Sequence, residues 1–179
     1  MVKTISVALL GNPNTGKSSV FNTLTGLKQT VGNYPGVTVE KKIGSFAIDR
    51  TTSVQLIDLP GTYGLNTQSI DRSIVFELLL NKNNKDFPDV VIVVADIDNL
   101  KRNLLLFSQI KDLEIPTILA INMSDQLTSK GIEINVEKLE EELDTKVVLL
   151  SARKNHGFNA LKSEIKNYRN LSDKPAFNI

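Results

Sequence analysis

A chain of 179 residues suits a single domain that buries most of its apolar surface without disulfide or metal staples. Its composition, 41% hydrophobic and 23% charged, is that of an ordinary soluble globule, and 21 basic against 20 acidic side chains exclude a strong general attraction to DNA or anionic lipid. With no cysteine, a disulfide framework and a thiolate-bound metal are both excluded, which fits the cytosol; the longest apolar stretches, such as Val90 to Ala95, fall far short of a membrane span, and the first ten residues are too short for a signal peptide.

Apolar runs of strand length recur at 5–10, 54–57, 90–95, 117–121 and 147–150, and segments of helical period lie between most of them. This alternation predicts an α/β fold, a doubly wound, mostly parallel sheet with helices on both faces and right-handed crossovers. One antiparallel edge strand is expected, because the runs 43–48 and 54–57 are joined by Asp49 to Ser53 at hairpin length.

The first run leads straight into Gly11-Asn12-Pro13-Asn14-Thr15-Gly16-Lys17-Ser18, and Val20, Phe21 and Leu24 follow. G-x-x-x-x-G-K-S between a strand and a helix is the pattern of a phosphate-binding loop, whose backbone N–H groups and following helix N-terminus face a polyphosphate. The candidate contacts are Gly11, Asn12, Asn14, Thr15, Gly16, Lys17, Ser18 and Ser19, with Lys17 reaching the β- and γ-phosphates and Ser18 binding Mg²⁺. A Gly-rich loop arising by chance is the bland alternative, and the flanking strand and helix argue against it.

Residues 28–40 hold two Gly and one Pro without a helical period and read as a long loop, which in a compact domain usually has a function. Its Thr38 is the candidate that brings a hydroxyl to Mg²⁺ and an N–H to the γ-phosphate, so that the loop is ordered only with an intact triphosphate. The other reading makes Thr38 the structural start of the next strand. Asp58-Leu59-Pro60-Gly61 then ends the next apolar run. Asp58 is placed to hold Mg²⁺ through water, and the Gly61 N–H to reach the γ-phosphate because no side chain blocks it. Alone this D-x-x-G is turn material; about forty residues after a phosphate loop it closes a nucleotide site.

Leu100, Leu104 and Phe107, with Leu106, Ile110 and Leu113, predict a helix of broad apolar face that Pro116 ends. Asn122-Met123-Ser124-Asp125 follows the strand at 117–121. A carboxylate at Asp125 accepts from both N1–H and the 2-amino group of guanine, whereas adenine offers neither, so GTP is the expected nucleotide. Met123 stands where Lys is commoner, and its unbranched chain lies along the base. Val136, Leu139 and Leu143, and later Phe158, Leu161, Ile165 and Tyr168, are helical stripes that read as core. Between them Ser151-Ala152, after the run 147–150, adds a backbone N–H for the guanine oxygen. His156, the single histidine, reads as a solvated surface side chain, and nothing reads as an iron site.

These four elements have the order and spacing of a small GTPase. The stretches 11–18 (Gly-Asn-Pro-Asn-Thr-Gly-Lys-Ser), 31–40 (Val-Gly-Asn-Tyr-Pro-Gly-Val-Thr-Val-Glu) and 58–63 (Asp-Leu-Pro-Gly-Thr-Tyr) resemble the ferrous iron transport protein B family. Residues 98–103 and 122–125 are similar to the same family, and the likeness spans about residues 3–166. It implies a GTPase domain, here 1–168, at the cytoplasmic head of a polytopic membrane protein that takes up Fe²⁺. Residues 169–179 are then a tail or linker toward a helical domain, and a homodimer or trimer is left to the full-length protein. The resemblance also implies cation-dependent hydrolysis, in which K⁺ beside the phosphates replaces an arginine finger. Carried over by position, the K⁺ ligand is Asn14, with backbone carbonyls near Gly32 and Tyr34. Relatives often carry Trp where Tyr34 stands, a change to which a carbonyl ligand is indifferent.

The residues support this independently. Where many GTPases have a Gln after D-x-x-G, this chain has Thr62, too short to orient the attacking water, so a slow intrinsic hydrolysis must draw on cations and backbone. A monovalent cation at Asn14 neutralises charge developing between the β- and γ-phosphates; the plainer reading is that Asn14 only shapes the loop. The catalytic set is thus Asn14, Lys17, Thr38 and Gly61. Two rival functions stay open. A free-standing GTPase of ribosome assembly or tRNA modification has similar motifs but needs an RNA-binding module or basic face, which this nearly neutral chain lacks. A nucleotide-binding scaffold without useful turnover is permitted by the missing Gln.

Overall fold

The computed structural model describes residues 2–34, 39–64 and 70–175, the side chains of residues 70–72 and 76 excepted. In chain order the elements are β1 (Lys3–Gly11), α1 (Lys17–Thr25), β2 (Gln29–Asn33), β3 (Glu40–Ala47), β4 (Thr52–Asp58), α2 (Ile70–Leu80) and β5 (Val90–Asp96). They continue with α3 (Leu100–Lys111), β6 (Thr117–Asn122), α4 (Leu127–Lys130), α5 (Val136–Leu143), β7 (Lys146–Leu149) and α6 (Phe158–Lys166). The strands form one sheet in the order β2-β3-β4-β1-β5-β6-β7. Neighbours among β4, β1, β5, β6 and β7 run parallel, while β3 is antiparallel to both β4 and β2.

Strand periodicity sets the two faces of this sheet. Along β1, Ile5, Val7 and Leu9 pack with Val20, Phe21 and Leu24 of α1 and with Phe158, Leu161 and Ile165 of α6. Ala8 and Leu10, at the alternate positions, pack on the opposite face with Val75 and Leu78 of α2 and with Leu106, Phe107 and Ile110 of α3. A strand buried on both faces must be apolar at every position, which is why β5 reads Val-Val-Ile-Val-Val-Ala and is buried throughout. Each fully buried Leu, Ile or Phe contributes roughly 1.5–3 kcal/mol, so these layers dominate the stability.

The register then aligns the strand ends that matter. Leu9 stands beside Asp58, Gly11 beside Val94, and Asp96 beside Asn122. The carboxyl ends of β1, β4, β5 and β6 therefore open on one edge, where a doubly wound sheet binds its ligand.

The α/β architecture matches the expectation from sequence, with three additions. Residues 29–33, read as part of a loop, form a second antiparallel strand, β2, at the edge of the sheet. All five of its residues are exposed, so no buried-and-exposed alternation marked it. Helix α3 ends at Lys111, short of Pro116; its Asp112 cap donates back to the Ser108 and Ile110 carbonyls. The segment read as a tail begins docked, since Leu171 packs against the α1 and α6 side of the core and the Lys111 ammonium donates to the Ser172 carbonyl at 2.8 Å. Among the described residues no helix is long and apolar enough to cross a membrane.

Candidate nucleotide site

The loop between β1 and α1 is shaped by two left-handed residues, Asn14 at φ 69° and Gly16 at φ 80°. Asparagine tolerates that region better than most side chains, and glycine adopts it without strain. Gly16 is also required by packing, because a Cβ there would stand 2.3 Å from Asn122 Nδ2. As N-cap of α1 it brings no side chain to the first turn, so those N–H groups and the positive end of the helix are left to a ligand. Asn14, Ser18 and Ser19 are exposed on this loop and first turn.

Beneath them, Asn12 is only 2% exposed, and neither its amide nitrogen nor its oxygen has a hydrogen-bond partner among the described residues. Buried side-chain amides are almost always bonded, so this one marks a place completed by a ligand or by ordered water. Thr15, fully buried, holds the loop by donating its hydroxyl to the Asn12 carbonyl at 2.9 Å.

At the start of α1, Lys17 forms an ion pair with Asp58, the last residue of β4, and both side chains are largely buried. A cationic donor, a carboxylate and the exposed hydroxyl of Ser18 thus meet at the strand ends. Oxygens of this kind suit a hard cation, and the ammonium suits the phosphates that accompany it. Gly61 lies against the same loop, but a Cβ there would sit 3.5 Å from the Gly11 carbonyl and the Pro13 nitrogen, an ordinary contact. Packing within the protein therefore does not itself demand glycine at 61. Thr62 is buried with its N–H on the Gly11 carbonyl at 3.2 Å and its hydroxyl on the Gly64 carbonyl at 3.0 Å. Its side chain thus serves its own turn.

The segment expected from sequence to read the base is built around Asn122. Its amide nitrogen donates to the Thr15 carbonyl at 3.1 Å, and its amide oxygen accepts from the Ala152 N–H at 3.1 Å. One buried side chain therefore ties the phosphate loop to the 151–152 loop. Of the Ser151-Ala152 backbone N–H groups, one of which the sequence offers to a guanine oxygen, the Ala152 N–H has this protein acceptor and the Ser151 N–H donates to the His156 carbonyl at 3.1 Å. Met123 takes a left-handed conformation, φ 65°, and turns the chain into a short 3₁₀ turn over Ser124–Gln126. Gly16, Ser19, Asn122, Met123, Asp125 and Ala152 line one cavity of about 370 Å³, which brings both halves of the motif set together.

Asp125 accepts from the buried Ser151 hydroxyl at 2.7 Å on one carboxylate oxygen, and its other oxygen forms an ion pair with the Arg153 guanidinium at 2.8 Å. The Ser151 hydrogen bond, and then the charge of Arg153, hold its carboxyl below the usual carboxylate range, so near neutral pH it is ionised and acceptor-only. Arg153 was not singled out from sequence; a basic residue in an exposed loop carries no pattern.

Thr38 lies outside the described residues. Gly32 stands in β2 opposite Lys41, and the Tyr34 N–H donates to the Val39 carbonyl at 3.0 Å. The Tyr34 side chain is 7% exposed and belongs to the core, with a hydroxyl that has no partner among the described residues. Burial, and then the negative charges of Asp58 and Asp86, push that phenol well above its ordinary value of 10.0. Lys41, ion-paired to Asp86, lies 5.7 Å from the ring centre. His156 is exposed as expected, and its backbone pairs with Ser151 to close the 151–156 loop.

Comparison with known proteins agrees with this geometry. The family model described as ferrous iron transport protein B matches residues 5–165. The Fe²⁺ transporter FeoB of Leptospira biflexa is 41% identical over 162 residues, which are 90% of this chain and 23% of that protein. The chain thus spans about a quarter of the length of this curated relative. Among solved structures, the G domain of the T. maritima FeoB iron transporter superposes with a TM-score of 0.84 at 40% identity, covering 93% of this chain and 99% of that one. The cytosolic domain of the same transporter in a GMPPNP form gives 0.83 at 41% identity, covering 95% of this chain and 64% of that one. With the family model matching residues 5–165 of this chain and the solved G domain covered almost completely, this chain belongs to the ferrous iron transport protein B family and corresponds to its G domain.

Proposed function

We propose that this domain binds GTP and hydrolyses it slowly with Mg²⁺, faster in K⁺, at the cytoplasmic face of a ferrous iron transporter whose helical and transmembrane parts it serves. The observation that carries this reading is the Asn122 brace, which ties the loop at Thr15 to the loop at Ala152 and so supports a phosphate site next to a base pocket. The similar T. maritima domain is described in GDP and GMPPNP forms, which supports a guanine nucleotide as the ligand.

The chain's own residues divide the work. Lys17 exchanges Asp58 for the β- and γ-phosphates, which frees the Asp58 carboxylate. The N–H groups over Gly11 to Ser19 cradle the phosphates, and Gly61 brings a backbone N–H toward the γ-phosphate. Asp125 reads the guanine edge, with Met123 along the base and Ser151-Ala152 behind it. Mg²⁺ held by Ser18, Thr38 and Asp58, and K⁺ held by Asn14 with carbonyls near Gly32 and Tyr34, would supply positive charge where the phosphates gather negative charge. Because the Thr62 hydroxyl is bonded into its own turn, it does not replace a water-orienting Gln, which supports the reading that turnover leans on cations.

Turnover in KCl against NaCl at matched ionic strength tests this proposal, since general screening is then equal. We expect KCl to raise GTP turnover at least about tenfold, equivalent to about 1.4 kcal/mol of barrier, and Asn14→Ala to remove the difference while nucleotide binding persists. Equal parent turnover in both salts would reject the K⁺ assignment.

A further inference from the structure

Two contacts that the nucleotide reading does not use lie on one helix. Tyr63, directly after D-x-x-G-Thr62, is 44% exposed and stacks against Arg102 of α3, whose guanidinium carbon is 4.2 Å from the ring centre. Gly64 lies against Gln109 of the same helix, whose Oε1 would be 3.1 Å from a Cβ at position 64. Residues seven apart are two turns apart on one flank of a helix, so Arg102 and Gln109 together hold the segment that leaves the γ-phosphate position.

Lys111, the last residue of α3, lies on the other flank. Leu106, Phe107 and Ile110 fill the arc between the two flanks and are fully buried against the sheet. Lys111 itself is 0% exposed, and its ammonium donates to the Ser172 carbonyl at 2.8 Å, where the chain leaves the domain. Asp144 and Asp173 are the carboxylates near it. Pulling Ser172 away would strip a buried cation of this acceptor, so a displacement of the exit moves α3 more readily than it breaks the contact.

We propose that α3 is the tie between the nucleotide-facing segment 62–64 and the exit of the chain at Ser172, so that Arg102, Gln109 and Lys111 act as positioning residues coupling the two. Helix α3 is a rigid rod about 13 Å long between Arg102 and Lys111, pinned on one flank by the turn after Gly61 and on the other by the exit. A shift at either pin displaces the other. This rests on the nucleotide reading above only in that the shift at 62–64 is attributed to the γ-phosphate.

Hydrogen exchange on the whole 179-residue chain loaded with GDP or with GMPPNP tests the coupling. Amides 62–64 and amides 171–174 should both change their exchange rate between the two nucleotides, by at least about threefold, while amides 15–18 are protected by either. Exchange at 171–174 that is indifferent to the nucleotide overturns the tie. Loss of protection at 15–18 with both nucleotides instead rejects the nucleotide reading, and a second arm then decides. The chain has no tryptophan, so Tyr63→Trp places a single emitter beneath Arg102. Adding Lys111→Met, or Lys111→Gln if the first does not fold, should alter the emission and iodide quenching at position 63 without nucleotide. A folded Lys111 variant with unchanged emission there overturns the proposal.

Discussion

The Asp125 carboxylate has two partners of very different hold. The Ser151 hydroxyl is buried, whereas the Arg153 side chain is 74% exposed, and an ion pair so open to water contributes little. A base can displace Arg153 and keep the Ser151 bond, which orients the carboxylate. Asp125→Asn turns an acceptor into a group that also donates, matching the 2-oxo group of xanthine instead of the guanine amine. GTP affinity should fall by more than about tenfold and XTP binding should appear, read by competition with a labelled nucleotide; unchanged GTP affinity would show that this loop does not read the base. The tetrapeptide made the proposal of that role possible from the sequence, while the buried environment of Tyr34 was not legible, because it sits in a stretch without period. Its hydroxyl is buried without a partner among the described residues, so Tyr34→Phe should stabilise the fold, by up to about 1 kcal/mol in denaturant melts, or leave it unchanged. The sign with pH is definite. An unfolded tyrosine loses its proton near pH 10 while the buried one keeps it, so the folded state binds more protons above that pH and parent stability falls there. Tyr34→Phe should lose less stability than the parent between pH 9.5 and 11, a range set by the ordinary tyrosine value of about 10; parallel curves would show that the ring is hydrated.

Helix α1 and strand β2 show why some elements can be read from sequence and others cannot. The first turn of α1 was legible because glycine, lysine and serine recur there at fixed offsets for a steric and electrostatic reason. The structure adds that Gly16 is wedged against Asn122 in a left-handed conformation. Gly16→Ala therefore meets two penalties at once, roughly 1–2 kcal/mol for the left-handed backbone and a further displacement of Asn122. Since Asn122 braces both loops, the expected outcome is a loss of more than about 2 kcal/mol in thermal or denaturant stability together with loss of GDP binding. Retained GDP affinity in a Gly16→Ala protein would separate the loop from the brace. By contrast β2 is held by its ladder to β3, with Gln29 opposite Gly44 and Asn33 opposite Glu40, and by almost no burial. Pairing of that kind leaves no hydrophobic period to read. Helix α2 carried such a period at Ile74, Val75, Leu78 and Leu79, and the sequence reading did not delimit it.

At the scale of the whole molecule the site is a seam. Its walls come from the ends of β1, β4 and β6, from the first turn of α1 and from the 151–152 loop, and the Asn122 side chain bonds both Thr15, 107 positions away, and Ala152. A ligand that contacts all of them binds only the folded chain, so its binding free energy adds to the stability of the fold. GDP with Mg²⁺ at one hundred times its dissociation constant should therefore stabilise the protein by about 2.7 kcal/mol. For a domain of this size that corresponds to a rise in melting temperature of about 5–10 °C. ADP at the same concentration tests which wall matters, because it offers the same phosphates to Lys17 and the loop amides but no donors to Asp125. The expected ADP shift is less than about half that of GDP. Equal shifts would mean that the phosphate loop binds diphosphates without the base pocket taking part. No shift with either nucleotide would mean that the Lys17–Asp58 pair is too stable for phosphates to open, and that this edge of the sheet is a structural joint instead of a binding site.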